Sequence, residues 1–411
     1  MKYISLLQWF YQDRNKYREL CDSRSHGDNT IALPFKIKEQ PAFYLLTSEI
    51  HHASLSIYKT NSKVKEVLSL LPRIAINQFC RRCLIDEIVL TNEIEGVSST
   101  RKDISNILDG LHNNDRRHRF EGLVLKYEKL QSKEKIPLDT CQDIRNLYNE
   151  LVLDEIMEND PDNKPDGIIF RKGPVSVVSP TQKELHQGLL PESTIISALE
   201  QGLRFIHDES YDILIRIAVF HYYWGYIHPF YDGNGRLSRF ISSYLLAQEL
   251  EPVIAYRISY TIKESMHDYY EAFKICNDAR NFGDITPFVT VFLNILDNSM
   301  QQLLKGLEER YFALHHYYQV LKKKWSDSTG NYTTIERLLF YLIQGELFSE
   351  NGIPTSILTS VLNCSRTTFD KYIKELEPLQ LLKKEKIGRT NYYSVDLNRL
   401  DALAEKWEKE A

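Results

Sequence analysis

Residues His228-Pro229-Phe230-Tyr231-Asp232-Gly233-Asn234-Gly235-Arg236, followed by Leu237, Ser238 and Arg239, bring a base, a carboxylate, a turn and two cations together in one short run. Gly233, Asn234 and Gly235 tolerate left-handed backbone angles, so consecutive N–H groups can turn inward as a nest for an anion. The run opens a helix whose free N–H groups and dipole also favour phosphate. Arg236 and Arg239 lie three apart and share one helix face, where two guanidinium forks suit a polyphosphate. Asp232 is a hard oxygen ligand suited to Mg²⁺. His228 is the group that can take up and release a proton near neutral pH.

Such a run must be held by its neighbours. Apolar residues recur at three- and four-residue spacing over 42–71, 75–93, 119–132, 138–157, 193–206, 211–227, 235–250 and 261–277, which predicts helices. Pro72, Pro137, the 160–166 cluster, Pro229 and Pro252 punctuate them. The motif is therefore the tight turn between two apolar helices. The stretch 168–179 (IIFRKGPVSVVS) breaks the helical pattern; its β-branched residues around Gly173-Pro174 predict a β-hairpin lying over the core or a ligand. A helix follows Pro287 to about residue 324, and 326–330 (SDSTG) reads as a linker. Beyond it, helices over 335–343, 354–362 and 365–377, a small hairpin from 381 to 395 and a closing helix from 396 describe a winged helix-turn-helix. The fold class expected is mainly α. Its parts are an N-terminal helical region (1–118), a catalytic core with a hairpin (119–300), a helix and linker (301–330), and the winged and closing helices (331–411).

HPFYDGNGRLSR resembles the signature HPFx[D/E]GNGRxxR of the Fic family at every specified position. The resemblance implies an all-α core whose motif joins two helices, and an enzyme that transfers AMP from ATP to Ser, Thr or Tyr hydroxyls of proteins. It makes His228 the general base and Asp232 the Mg²⁺ ligand. Gly233 to Gly235 with Arg236 become the cradle for the α- and β-phosphates, and Arg239 the contact to the γ-phosphate. Leu237 and Ser238 fall within the same nucleotide-binding run, and Phe230 becomes a buried anchor. The predicted hairpin resembles the family's flap, with Val177, Val178, Ser179 and Pro180 at positions that touch the nucleotide. Tyr269, Tyr270 and Asn277 match residues lining an adenine pocket. His221 matches a family histidine that is buried and hydrogen-bonded.

Thr91-Asn92-Glu93-Ile94-Glu95-Gly96 reads on its own as a helix stop before glycine. It also matches the family's inhibitory pattern [S/T]xxxE[G/N]. This implies that Glu95 pairs with Arg239 and occupies the γ-phosphate position, as an N-terminal brake. In some relatives the same glutamate supports removal of AMP. A metal hydrolase built on His221, His228 and Asp232 is disfavoured, because a seven-residue His spacing across a helix end suits shared ligation poorly. A regulator whose core only senses nucleotide has no use for a general base.

The net charge of −5 over 411 residues argues against binding nucleic acid by bulk charge. Residues 334–395 hold eight basic and seven acidic side chains, so Arg366, Thr367, Thr368, Lys371, Lys374, Lys383, Lys384, Lys386 and Arg389 point to protein as readily as to DNA. The six cysteines are too sparse for a disulfide scaffold and Cys80-x-x-Cys83 has no second pair, which favours reduced thiols. No apolar stretch approaches the ~20 residues of a membrane span, and the N-terminus does not read as a secretory signal. A cytoplasmic location follows as an expectation. The partners expected are a protein substrate, the chain itself through self-modification, DNA or protein at the winged helix, and a second copy in a homodimer. No membrane partner is expected.

Overall fold

A computed structural model describes residues 3–110, 119–178, 184–325, 333–387 and 390–410, and the chain is mainly α. It divides into two compact units, Met1–Ser62 with Leu84–Gln301, and Lys63–Cys83 with Gln302–Ala411. The division falls inside the helices Ser48–Leu70, Arg73–Ile94 and Thr286–Trp325.

The centre of the first unit is the helix Ile213–Ile227, apolar on every side and with twelve of its fifteen residues buried. A helix of that composition must be surrounded. Glu192–Ile206 and Asn234–Glu249 pack against it. Asp212 starts it by accepting the Leu214 N–H at 2.8 Å, and His228 ends it in the left-handed region at φ 51° and ψ 66°. Gly233, at φ 79°, then starts Asn234–Glu249. A third support is Cys141–Tyr148, opened by a capping box between Thr140 and Asp143 and continued through a π-helical turn, Asn149–Leu153, into Asp154–Asn159. A Cβ at position 233 would come within 3.0 Å of Val152 and 3.3 Å of Tyr148, so this support presses directly on the motif turn.

Three expectations are corrected. The region before residue 118 is not purely helical: Thr30–Ile37 pairs antiparallel with Gln40–Leu45. Their two-residue turn uses Lys38 at φ 54°. The hairpin expected over 168–179 does not turn at Gly173-Pro174. Its strands are Ser176–Val178 and Glu184–Gln187, so the connection lies later; Pro174 has no N–H to give a ladder. Ser179 and Pro180 lie outside the described residues, as do the expected linker 326–330 and Arg389. The helix expected over 261–277 is two helices, Ile258–Glu264 and Met266–Asn277, broken at Ser265.

The helix Arg73–Ile94 is pinned within the first unit by Glu87. This fully buried carboxyl accepts from the Ser259 N–H (2.9 Å) and hydroxyl (2.6 Å) and from the Tyr127 hydroxyl (3.4 Å). Burial pushes it up to about 7, against the hydrogen bonds from Ser259 and the charge of Arg239.

In the second unit, Thr334–Phe348, Thr355–Val361 and Arg366–Leu376 are followed by the strands Leu382–Ile387 and Thr390–Val395. The short strand Ile353–Pro354 completes a sheet on the far side of Thr390–Val395. Phe79 meets Phe348 edge to face, and Arg310 lies over Phe79 while donating to the Leu347 carbonyl at 2.9 Å. Two of the basic side chains are neutralised nearby: Arg366 pairs with Asp370 at 3.2 Å and Lys383 with Glu346 at 2.7 Å. Cys21, Cys80, Cys83, Cys141, Cys276 and Cys364 are all free thiols. No helix among the described residues is long and apolar enough to cross a membrane.

Candidate active site

The motif turn is organised around a buried ring. Phe230 is fully buried, stacks on Tyr148 at 3.8 Å and meets Phe170 edge to face at 5.3 Å. Asn234 closes the turn around it: the side-chain carbonyl accepts from the Phe230 N–H at 3.0 Å and the side-chain amide donates to the Phe230 carbonyl at 2.7 Å. The Trp224 indole N–H then takes the Asn234 carbonyl at 3.0 Å. Asn234 is thus committed to shaping the turn. Phe230→Ala is expected to cost about 3–5 kcal/mol, the range for emptying an aromatic site. Urea unfolding showing a loss below about 1 kcal/mol would remove Phe230 as the anchor.

Around this turn opens a cleft with about 1010 Å³ of free space, part of it continuous with solvent. Of the expected site residues it is lined by Glu95, Val177, His228, Asp232, Gly233, Asn234, Gly235, Ser238, Arg239, Tyr269, Tyr270 and Asn277. Arg236 and Leu237 do not line it. Leu237 is fully buried, and Arg236 is drawn onto Glu155 at 2.5 Å, 3.6 Å from Asp232. Arg236 Nε and Nη2 are buried and have no hydrogen-bond partner. Val178 belongs to the strand Ser176–Val178. The cleft also recruits residues that motif reading passed over: Ser176, His186, Trp224, Gly225, Tyr231 and Phe273.

His228 reaches the cleft with an edge, but most of its ring is enclosed. Burial pushes its imidazole down to about 4, helped by the Arg171 charge. Glu95 pulls the other way, His186 lowers it further, and a hydrogen bond to the Gly225 backbone raises it. The imidazole is therefore neutral at pH 7 and able to accept a proton. His221 is fully enclosed, its Nε2 within 2.7 Å of the Tyr269 hydroxyl and its Nδ1 within 2.8 Å of the Ser242 hydroxyl. Burial holds it neutral too, at about 3. Tyr269 and Tyr270 meet edge to face at 5.4 Å, and Asn277 accepts from the Tyr222 hydroxyl at 2.8 Å.

Arg239 is buried and donates three times to the end of the helix Arg73–Ile94: to the Thr91 hydroxyl (2.7 Å), the Thr91 carbonyl (2.9 Å) and the Glu95 carboxylate (2.9 Å). Gly96, at φ 73°, terminates that helix, with Val97 N–H returning to the Asn92 carbonyl at 2.9 Å. The Glu95 carboxylate lies directly over Gly235, where an added Cβ would displace it. The cleft thus holds a neutral imidazole, a helix N-terminus and a buried cation already satisfied by an acid.

Residues 138–246 match the model of the Fic/DOC family. Protein adenylyltransferase Fic of Drosophila yakuba is 29% identical over 187 residues, 44% of this chain and 32% of that protein. The protein of the same name from Aedes aegypti is 33% identical over 92 residues, 22% of this chain and 17% of that one. The aligned part is a third or less of those relatives' length. The crystal structure of a Fic family protein from Desulfovibrio desulfuricans G20 superposes with a TM-score of 0.52 at 19% identity, over 86% of this chain and 97% of that one, a likeness of fold. The matched residues include the whole motif turn, the helix before it, all but the last three residues of the helix after it, and the strand pair beside it. At residues 138–246 this chain is similar to the Fic/DOC family.

Proposed function

We propose that this chain transfers AMP from ATP to Ser, Thr or Tyr hydroxyls of proteins, itself included, and that Glu95 restrains the reaction. The observation that carries the reading is the meeting of neutral His228, the Gly233–Gly235 turn and Arg239 in one cleft. The relatives named adenylyltransferase support the chemistry.

The target hydroxyl gives its proton to His228 while its oxygen attacks the α-phosphorus. One O–P bond forms, the bond from the α-phosphorus to the bridging oxygen breaks, and pyrophosphate leaves with the bonding electrons. The turn N–H groups stabilise charge on the phosphates, and Arg236, buried on Glu155 behind the turn, adds its positive charge without lining the cleft. Arg239 holds the far phosphate once Glu95 has left it. Tyr269 and Tyr270 offer aromatic surface for the base. The donor set at the rim fits Mg²⁺: Asp232 gives a partly exposed carboxylate, and one carboxylate plus phosphate oxygens is a common Mg²⁺ arrangement. Bound there, the ion would supply charge against the phosphates.

Incubation with ATP labelled at the α- or γ-phosphate, together with a cell lysate, tests the reading. Label from the α position alone should enter protein. Label from the γ position would mean phosphate transfer instead. Release of AMP from a pre-labelled protein by wild type but not by Glu95→Gly would reverse the direction.

A further inference from the structure

Arg171 is fully buried, yet among the described residues it forms no ion pair. Its guanidinium is spent on three carbonyls: Nε donates to His228 at 2.9 Å, Nη1 to Gly173 at 2.7 Å and Nη2 to Leu189 at 3.0 Å. Its own N–H adds a fourth link, to the Pro229 carbonyl at 3.3 Å. Gly173 precedes the strand Ser176–Val178, and Leu189 follows the strand Glu184–Gln187. We propose that Arg171 is a positioning residue of this site, a buried fork that clasps both ends of the strand pair and fastens them to the main chain of His228. The inference rests on the adenylyl-transfer reading.

The clasp has work to do, because His228 occupies a left-handed conformation that a side chain other than glycine resists. A donor on its carbonyl fixes the peptide that follows, and with it the direction of the ring. The cation sits at the C-terminal end of Ile213–Ile227, where the helix dipole favours positive charge and offsets part of the cost of burial. The packing is tight: a Cβ at Gly188 would collide with Arg171 Nη2 and come within 3.1 Å of the His228 Cβ. Gly188 N–H meets Val175 and Leu189 N–H meets Ile227, so the same ends are stitched to each other and to the helix before the motif. Lysine cannot replace this fork, having one nitrogen to reach three separated carbonyls.

The test uses Arg171→Lys, Arg171→Met and Gly188→Ala in the full chain carrying Glu95→Gly. It reads kcat and KM with α-labelled ATP, the pH profile, and the His228 imidazole titration by NMR, assigned against His228→Gln. All three variants should lose about 100-fold in kcat, as for a reacting group misplaced by about 1 Å, with KM for ATP little changed. Arg171→Lys and Gly188→Ala keep a cation near the ring, so the acidic limb should stay in place. Arg171→Met removes it, leaving burial, His186 and the Gly225 backbone to act on the ring in this Glu95→Gly background, and limb and titration should move to higher pH than in the Glu95→Gly parent. A merely structural plug would lower the melting temperature without moving the titration. Unchanged kcat and an unchanged titration in Arg171→Met would overturn the proposal. Should that variant not fold, full activity in Arg171→Lys and Gly188→Ala would do so instead. If the Glu95→Gly parent transfers no label, the adenylyl-transfer reading fails, while the NMR titration still decides for or against Arg171.

Discussion

Replacement of Glu95 by glycine is expected to raise transfer of the ATP α-phosphate label to protein by about 5- to 150-fold, the range of a single coupling of 1–3 kcal/mol. Arg239 is already paired with the Glu95 carboxylate, and on the proposed reading a terminal phosphate would compete for the same guanidinium. Arg239 is only 3% exposed, so this pair is not a screened surface contact of little consequence. Removing Glu95 leaves a buried cation partly unpaired, and the variant should melt earlier than wild type without nucleotide. ATP should then stabilise the variant more than wild type, because the phosphate repairs what the mutation removed. Equal labelling and equal ATP-dependent melting shifts in the two proteins would sink the brake.

Loss of the base should act in the opposite direction. His228→Ala is expected to lower the rate by about 10²- to 10⁴-fold, the contribution of a positioned general base. Binding of ATP should survive, since the proposed phosphate contacts lie on the turn and on Arg239. The acidic limb of the wild-type rate should fall near pH 4, because the ring must be neutral to accept a proton and its burial places protonation there. A rate in His228→Ala within about threefold of its parent would exclude the imidazole from the proton transfer. Measuring both substitutions together separates the two effects. Glu95→Gly with His228→Ala should be as inactive as His228→Ala alone.

Much of this site was legible because its chemistry is contiguous. Twelve residues in a row carry base, turn and cations, and the flanking helices announce themselves by period. Glu95 was legible through a second short pattern, although its partner lies 144 positions away. What escaped were contacts that no local pattern encodes. Glu155 meets Arg236 across 81 positions, Arg171 meets His228 across 57, and Thr91 meets Arg239 across 148. Glu155 and Arg171 stand alone in their segments and look like ordinary helix or loop residues, and Thr91, though it opens the inhibitory pattern, carries no sign there that it would meet Arg239. The strand pair Thr30–Ile37 with Gln40–Leu45 was hidden differently. Its alternation of Leu33, Phe35 and Ile37 is readable, but the Lys38-Glu39 turn has no glycine or asparagine, and Ala42 to Leu45 merge into the apolar run of the next helix. The segment 168–175 misled because β-branched residues and Gly-Pro announce a hairpin, whereas its backbone is held by Glu192, which accepts from Ile168, Ile169 and Phe170, and by its own Arg171, which donates to the Gly173 carbonyl.

The Glu87 anchor bears on how a restraint at Arg239 can be lifted. Two helical turns separate Glu87 from Glu95, and the first is welded to Ser259 while the second stands at the tip beside Gly96. A rod fixed at one joint does not slide; it yields where it ends. On the proposed reading, releasing Glu95 from Arg239 would take a swing of that one side chain beside Gly96, with the two bonds to Thr91 left in place.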